Sequence, residues 1–212
     1  TNKRFLHWAT ILEEYLYRKS ALITGQTQGI VRNIKTRFPQ KEVYWLKNGV
    51  DMNFFDAAAL KNSQWRQENG YQADQQLFLY AGILGHAQKL ETILEAAALL
   101  KEYSHIRFIM MGNGPEKDFL LSEKERLQLN NVDFIGVQPK SKMPEIVAAM
   151  NATVIPLRKL DLFLGAIPSK IFENLSMKKP IILGVDGEAR ELFIEDGKAG
   201  VFFEPENAQA LA

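Results

Sequence analysis

The chain has no cysteine among its 212 residues. That excludes a disulfide framework and thiolate metal sites, and it fits an intracellular protein. Histidine is scarce, and His7 and His105 have no partner at ligand spacing, so no metal is assigned. No apolar run approaches the roughly 20 residues needed to span a bilayer, and no internal repeat or low-complexity segment occurs. With 26 Lys/Arg against 25 Asp/Glu there is no general excess of positive charge for nucleic acid to read. Two phosphate fingerprints are also missing. Neither G-x-G-x-x-G nor G-x-x-x-x-G-K-[ST] is present, which argues against a dinucleotide cofactor and against a P-loop ATPase.

What charge there is lies unevenly. Residues 1–50 carry nine Lys/Arg and three acids, a net of +6, whereas residues 51–212 carry 17 and 22, a net of −5. The two parts read as pieces of different surfaces. A basic amino-terminal face suits peripheral contact with anionic lipid; the alternative is a set of solvated, lysine-rich helix faces. The chain begins at Thr1 and ends within a helical pattern at Ala212, which reads as a piece of a longer protein.

Periodicity predicts a helix over 3–19, with its stripe at Phe5, Trp8, Ile11, Leu12, Tyr15 and Leu16. Short strands at 21–24 and 43–46 flank a helix over 26–37. Asn48-Gly49 is turn chemistry, and no long apolar run follows until residue 76. This places the end of an amino-terminal domain at 1–50, an interdomain crossing at 51–75 and a Rossmann-like domain at 76–212. Within that last domain, six apolar strands at 77–82, 106–112, 132–136, 152–157, 180–185 and 200–204 alternate with helical segments. The pattern is α/β, a doubly wound and mostly parallel sheet. Its ligand belongs beyond the carboxyl ends of the strands, near Gly82, Gly112, Gly136 and Leu157.

Gly82 and Gly85 in "AGILGH" stand between a strand and a helix, where backbone N–H groups can cradle phosphate. A dinucleotide's ribose-binding acid is absent from the second strand, which ends Met110-Met111-Gly112. Glu173 is another candidate. In "IPSKIFENL", Ser169 and Lys170 occupy the first turn after Pro168, and Glu173 shares their face. A helix end and a lysine suit a diphosphate, and a carboxylate suits the two hydroxyls of a ribose. The competing interpretation is a surface ion pair between Lys170 and Glu173, worth little. Gly112-Asn113-Gly114-Pro115 reads as a strand-to-helix turn, and Met110 and Met111 read as core.

Taken in order, "ALITGQTQGIVRNIKTRFPQKEVYWLKNGVDMNFF", "LFLYAGILGHAQKLETILEAAALL", "IRFIMMGNGPEK", "VDFIGVQPKSKMPEIVAAMNATVIPL" and "IPSKIFENLSMKKPIILGVDGEARELFIEDGKAGVFFEPEN" span nearly the whole chain. They resemble the family 4 (group 1) glycosyltransferases: the end of the amino-terminal domain, then the donor domain. The resemblance implies a GT-B fold lacking most of its amino-terminal domain here. It implies a nucleoside-diphosphate sugar as donor and transfer with retention to a sugar or lipid-linked sugar acceptor held by the missing domain. No cofactor or metal is implied. The setting it suggests is cell-envelope or capsular polysaccharide synthesis, cytoplasmic and against the inner membrane face.

By that resemblance Glu173 matches the second glutamate of the Glu-x7-Glu motif and binds ribose, while the first falls at Gly165. The family's donor-loop arginine and lysine fall at Ile83 and Gln88, and a subgroup's alternative arginine falls at His86. The cationic work then passes to some of His86, Lys89, Arg158 and Lys170. The expected donor site comprises Gly82, Gly85, His86, Lys89, Val137, Arg158, Ser169, Lys170 and Glu173, with Lys170 and Glu173 in the catalytic roles and backbone groups of Val137 meeting the base. Two other functions stay open: a sugar-nucleotide epimerase of the same fold, and a nucleotide-sugar-binding module without catalysis.

Overall fold

The computed structural model describes residues 3–58 and 64–212. The chain divides into two compact units, Thr1–Asn48 and Gly49–Ala212.

The first unit is small. Helix α1 (Lys3–Lys19) precedes β1 (Ile23–Gly25), α2 (Gln28–Arg37) and β2 (Val43–Trp45), and the two strands pair in parallel. Thr27 caps α2, its side chain accepting from the Ile30 N–H at 3.2 Å. Ile23, Ile34, Phe38 and Val43 form the core, with Tyr17 of α1 edge-on to Phe38. Arg37 bonds Glu13 at 2.7 Å and so ties α2 to α1. The whole α1 stripe expected from the sequence, Phe5 to Leu16, is exposed, and the helix packs through Tyr17 instead.

The second unit carries α3 (Trp65–Glu68), β3 (Gln76–Ile83), α4 (Glu91–Leu99), β4 (Ile106–Asn113), α5 (Lys117–Arg126), β5 (Val132–Ile135) and α6 (Met143–Ala149). After these come β6 (Ala152–Pro156), α7 (Lys170–Ser176), β7 (Ile181–Gly184), α8 (Glu188–Arg190), β8 (Gly200–Phe202) and α9 (Ala208–Leu211). Beyond α8 the chain continues as a π-helical turn to Asp196. All six strands, β3 to β8, are parallel, in the order β5-β4-β3-β6-β7-β8. Relabelled from β3, that is the 3-2-1-4-5-6 order of a doubly wound nucleotide fold.

The strands are continuous apolar runs because both faces are covered. Tyr80, Phe108, Met110 and Val154 meet Ile93, Leu94 and Ala97 of α4 and Leu120 of α5 on one face. Leu77, Leu79, Ile109 and Met111 meet Ile146 and Val147 of α6 on the other. Phe55 and Trp65, from the polar stretch ahead of β3, are buried in that second layer, so the second unit starts well before its sheet. Residues 59–63 within the stretch lie outside the described residues.

Arg66 of α3 fastens this segment to the base of the sheet. Its guanidinium donates to Ala149 O at 2.6 Å, Gln75 O at 2.9 Å and Asn151 Oδ1 at 2.6 Å, and burial lowers its pKa. Asn151 Oδ1 also accepts from the Leu77 N–H, so one amide serves two elements. Removing the guanidinium strips these acceptors of a charged donor, at roughly 1.5–3 kcal/mol for such a bond. Arg66→Met is expected to lower the stability of the second unit by about 2–4 kcal/mol, read as a shift of the urea midpoint with unchanged slope.

Candidate functional site

The sheet is joined most thinly at its middle. Strand β3 pairs with β4 from Gln76↔Ile106 to Ile83↔Asn113, but with β6 only at Phe78↔Ala152 and Leu79↔Thr153. Past Leu79 the two strands part, and residues 80–83 keep β4 on one side only. This is the point where the strand order reverses, the place at which doubly wound sheets take their ligands. A cavity of about 350 Å³ opens there. Gly82, Val137, Lys170 and Glu173, all expected in the site, line it, together with Gln138 and Asn174.

Lys170 reaches into this opening from the first residue of α7. Its Nζ lies 4.3 Å from the centre of the Tyr80 ring, and a Cβ on residue 82 would come within 2.8 Å of it. Gly82 is therefore more than a flexible turn residue: its missing side chain is the space the ammonium fills. Its φ of +152° also suits glycine. Gly112 opposite, at φ +138°, has the Gly82 carbonyl where its Cβ would go, so the two glycines form one close backbone contact. Burial lowers the Lys170 pKa to about 8, and the nearby Glu173 charge opposes that drop. The two side chains nonetheless make no direct ion pair among the described residues, so a Lys170–Glu173 surface pair does not account for them.

Helix α7 starts two residues later than Pro168, with Ser169 before it making no side-chain cap bond. The N–H groups of Ile171 and Phe172 already bond the carbonyls of Pro168 and Ser169. The helix end therefore has fewer free donors than the sequence pattern implied. What holds α7 in place is a buried polar pair. The Thr153 hydroxyl, at the last position where β6 pairs with β3, donates to Asn174 Oδ1, and Asn174 Nδ2 donates to the Lys170 carbonyl at 2.7 Å. Glu173 stands beside this anchor with no hydrogen bond to its carboxylate among the described residues. Ser169 and Glu173 also line an adjoining cavity of about 300 Å³ with Asp51, Phe54 and Lys140.

The other expected residues lie around the loop after β3 rather than on the wall of the larger cavity. Gly85 precedes a 3₁₀ turn over His86–Gln88 in extended backbone. His86 Nδ1 is 2.8 Å from Glu116, and Lys89 Nζ is 2.8 Å from Glu91. Burial pushes the Glu91 carboxyl up, but the Lys89 hydrogen bond, a backbone hydrogen bond and the Lys89 and Arg158 charges outweigh it and hold the pKa below the usual carboxylate value. The Arg158 main-chain N–H donates to Ala87 O at 2.9 Å, bringing the loops after β3 and β6 together. Its Nε is buried without a partner among the described residues. Tyr80, Gln138, Thr153 and Asn174 were absent from the expected site. Only a polar residue inside an apolar strand, Thr153 in "ATVIP", hinted at them.

A cleft at the switch point of a doubly wound sheet, holding an amine and an unbonded carboxylate on one wall, stands where sheets of this kind take their ligands. The chain belongs to the family described as glycosyl transferases group 1, whose sequence profile matches residues 61–212. Its sequence is 27% identical over 158 residues to a protein of Escherichia coli (strain K12) that carries the name colanic acid biosynthesis glycosyl transferase WcaI, covering 74% of this chain and 37% of that one. Among solved structures, WaaG, a glycosyltransferase involved in lipopolysaccharide biosynthesis, superposes with a TM-score of 0.79 at 20% identity, over 99% of this chain and 57% of WaaG. Anabaena Alr3699/HepE in complex with UDP-glucose gives 0.76 at 22% identity, over 93% of this chain and 53% of HepE. The fold is that of a GT-B glycosyltransferase, and the chain spans about half the length of these structures and about a third of WcaI.

Among the described residues no helix is long and apolar enough to cross a membrane, and no group of three or more His, Asp or Glu is placed to hold a metal ion.

Gly82→Ala tests the packing of the amine. A methyl at that point displaces Lys170 Nζ, so its titration is expected to move from about 8 toward the ordinary lysine value of 10.5. The strained φ should cost roughly 1–3 kcal/mol of stability. NMR titration of ¹³C-labelled lysines reads the first effect and urea unfolding the second.

Proposed function

We propose that the chain supplies the donor-binding part of a retaining glycosyltransferase that uses a nucleoside-diphosphate sugar. The observation that carries this is the placement of Lys170 and Glu173 on one wall of the cleft at the β3/β6 switch point, the amine desolvated and the carboxylate unbonded. Lys170 meets the diphosphate, and Glu173 accepts from the two ribose hydroxyls. Backbone groups at Val137 and the Gln138 amide face the base. HepE, whose solved structures hold UDP and UDP-glucose, makes UDP the first nucleotide to test.

In the reaction the bond between the anomeric carbon and the phosphate oxygen breaks, and charge gathers on the departing diphosphate. A fixed cation at that point lowers the barrier, one such donor being worth on the order of 2.7–4 kcal/mol in comparable anion holes. The new bond forms from the acceptor hydroxyl oxygen, whose proton passes to the departing phosphate. His86 and Lys89 are engaged by Glu116 and Glu91, so Lys170 carries most of this work, with Arg158 beside the loop. The acceptor is a sugar or lipid-linked sugar of an envelope polysaccharide, and the setting is the cytoplasm, at the inner membrane face, with the basic amino-terminal part in peripheral contact. The kinship with WcaI and WaaG supports that setting.

Glu173→Ala should weaken UDP by more than tenfold while barely changing stability. Two charge-assisted bonds of roughly 1.5–3 kcal/mol each are lost, and even half of their sum exceeds the 1.4 kcal/mol of one decade. Calorimetry with UDP and 2′-deoxy-UDP decides the matter. A wild-type protein indifferent to the 2′-hydroxyl, with unchanged affinity in the variant, sinks the assignment.

A pH series gives a separate check. A terminal phosphate, with its second pKa at about 6, is fully ionised above neutrality, so the titrating partner is Lys170. Binding an anion raises the amine's pKa again, so above about 8 each binding event takes up a proton. Affinity should fall by no more than about twofold from pH 7 to 8, and above that by up to about tenfold per unit. In Lys170→Met the fall should vanish and the affinity at pH 7 should already be low.

A further inference from the structure

We infer that Tyr80 is a positioning residue for the Lys170 ammonium: its ring holds the amine against Gly82, and its hydroxyl fixes the strand end on which the amine lies. A lysine side chain has several rotatable bonds and, left to itself, samples many positions. At the cleft its Nζ has no hydrogen bond and no ion pair among the described residues; the Tyr80 ring, 4.3 Å away, is the group it packs on. A cation over an aromatic face is attracted by the ring quadrupole, more strongly when water is excluded. Tyr80 is 1% exposed, so its ring cannot follow the lysine into solvent. The lysine must come to the ring.

The hydroxyl makes the second half of the argument. It donates to Ile83 O at 2.6 Å, and burial raises its pKa, so it stays a neutral donor. Ile83 closes β3 on the stretch where β6 no longer pairs. The same residue therefore supplies a platform for the charge and a tie for the backbone beneath it, on the part of β3 where the sheet offers a single neighbour. Phenylalanine would serve the first role and fail the second; methionine, apolar but without a ring or a hydroxyl, would fail both.

The charged group facing the amine from its own helix is Glu173, and from β3 the facing group is the neutral Tyr80 phenol. The consequence for nucleotide binding rests on the proposed role of Lys170, but the positioning itself does not, and the test is done on ligand-free protein. In the wild type, the Lys170 ε-methylene protons, assigned by their loss in Lys170→Met, should be shifted upfield of the ordinary lysine position by the ring current, as should those of Lys47, 4.2 Å from the Trp45 ring; an unshifted Lys170 signal overturns the inference even if no variant of Tyr80 folds. In Tyr80→Met the Lys170 titration should fall by roughly half a unit or more, because the attraction that favoured the charged form is gone while the surroundings stay apolar. In Tyr80→Phe the titration and the upfield shift should persist, while amide exchange at Gly82 to Leu84 quickens. If Tyr80→Met leaves the Lys170 titration where it was, the ring is ordinary core. UDP affinity measured afterwards on the same variants separates a failed positioning role from a failed diphosphate role.

Discussion

The cleft exists because β3 and β6 pair at only two positions. In a doubly wound sheet the chain leaves in one direction for β4 and β5 and returns on the other side for β6, so nothing covers the gap between the first outward and the first returning strand. Here the gap begins directly after Leu79 and Thr153. Residues 80–83 are left with one free edge, the glycines at 82 and 112 draw the two strand ends together, and Lys170 enters from the opposite side. The Thr153–Asn174 bond sits at the last paired position, so the helix that delivers the lysine is anchored at the lip of the opening.

Local pairing matters more to the electrostatics than the count of charges. The loop after β3 looks rich in cations, yet His86 and Lys89 each meet a glutamate within 2.8 Å. A cation already held by a carboxylate presents little net field to an incoming anion. Lys170 is the reverse case, since burial raises the cost of its charge and no carboxylate contacts it directly. An anion that arrives there replaces water the amine has already lost, which makes a single desolvated ammonium more effective than several solvated ones.

The sheet was legible in the sequence because its strands are short apolar runs punctuated by glycine and proline, and each run of the second unit became a strand within a residue or two of its expected ends. Gly82, Lys170 and Glu173 were legible because their types and spacing carry a chemical meaning. Tyr80 was not, since a tyrosine inside "LFLYAG" looks like core, and core it is; its second role depends on where a lysine ninety residues later comes to rest. Thr153 and Asn174 escaped for the same reason: a buried hydrogen bond between distant residues leaves no periodic trace. The donors at the start of α7 were overestimated because the sequence cannot say that a turn will tighten to 3₁₀ bonding before the helix begins.

Glu173 lines both the larger cavity and the smaller one beside Asp51, Phe54 and Lys140. Two molecules that each draw on this one carboxylate, one from either side, are thermodynamically linked. Any molecule in the smaller space that draws on this carboxylate alters affinity in the larger by some factor, and an occupant of the larger alters affinity in the smaller by that same factor. Occupants that each need both oxygens exclude one another; occupants that need one apiece can share it. The side chain thus acts as a counter at the partition, registering on each side how much of its charge the other side has already engaged.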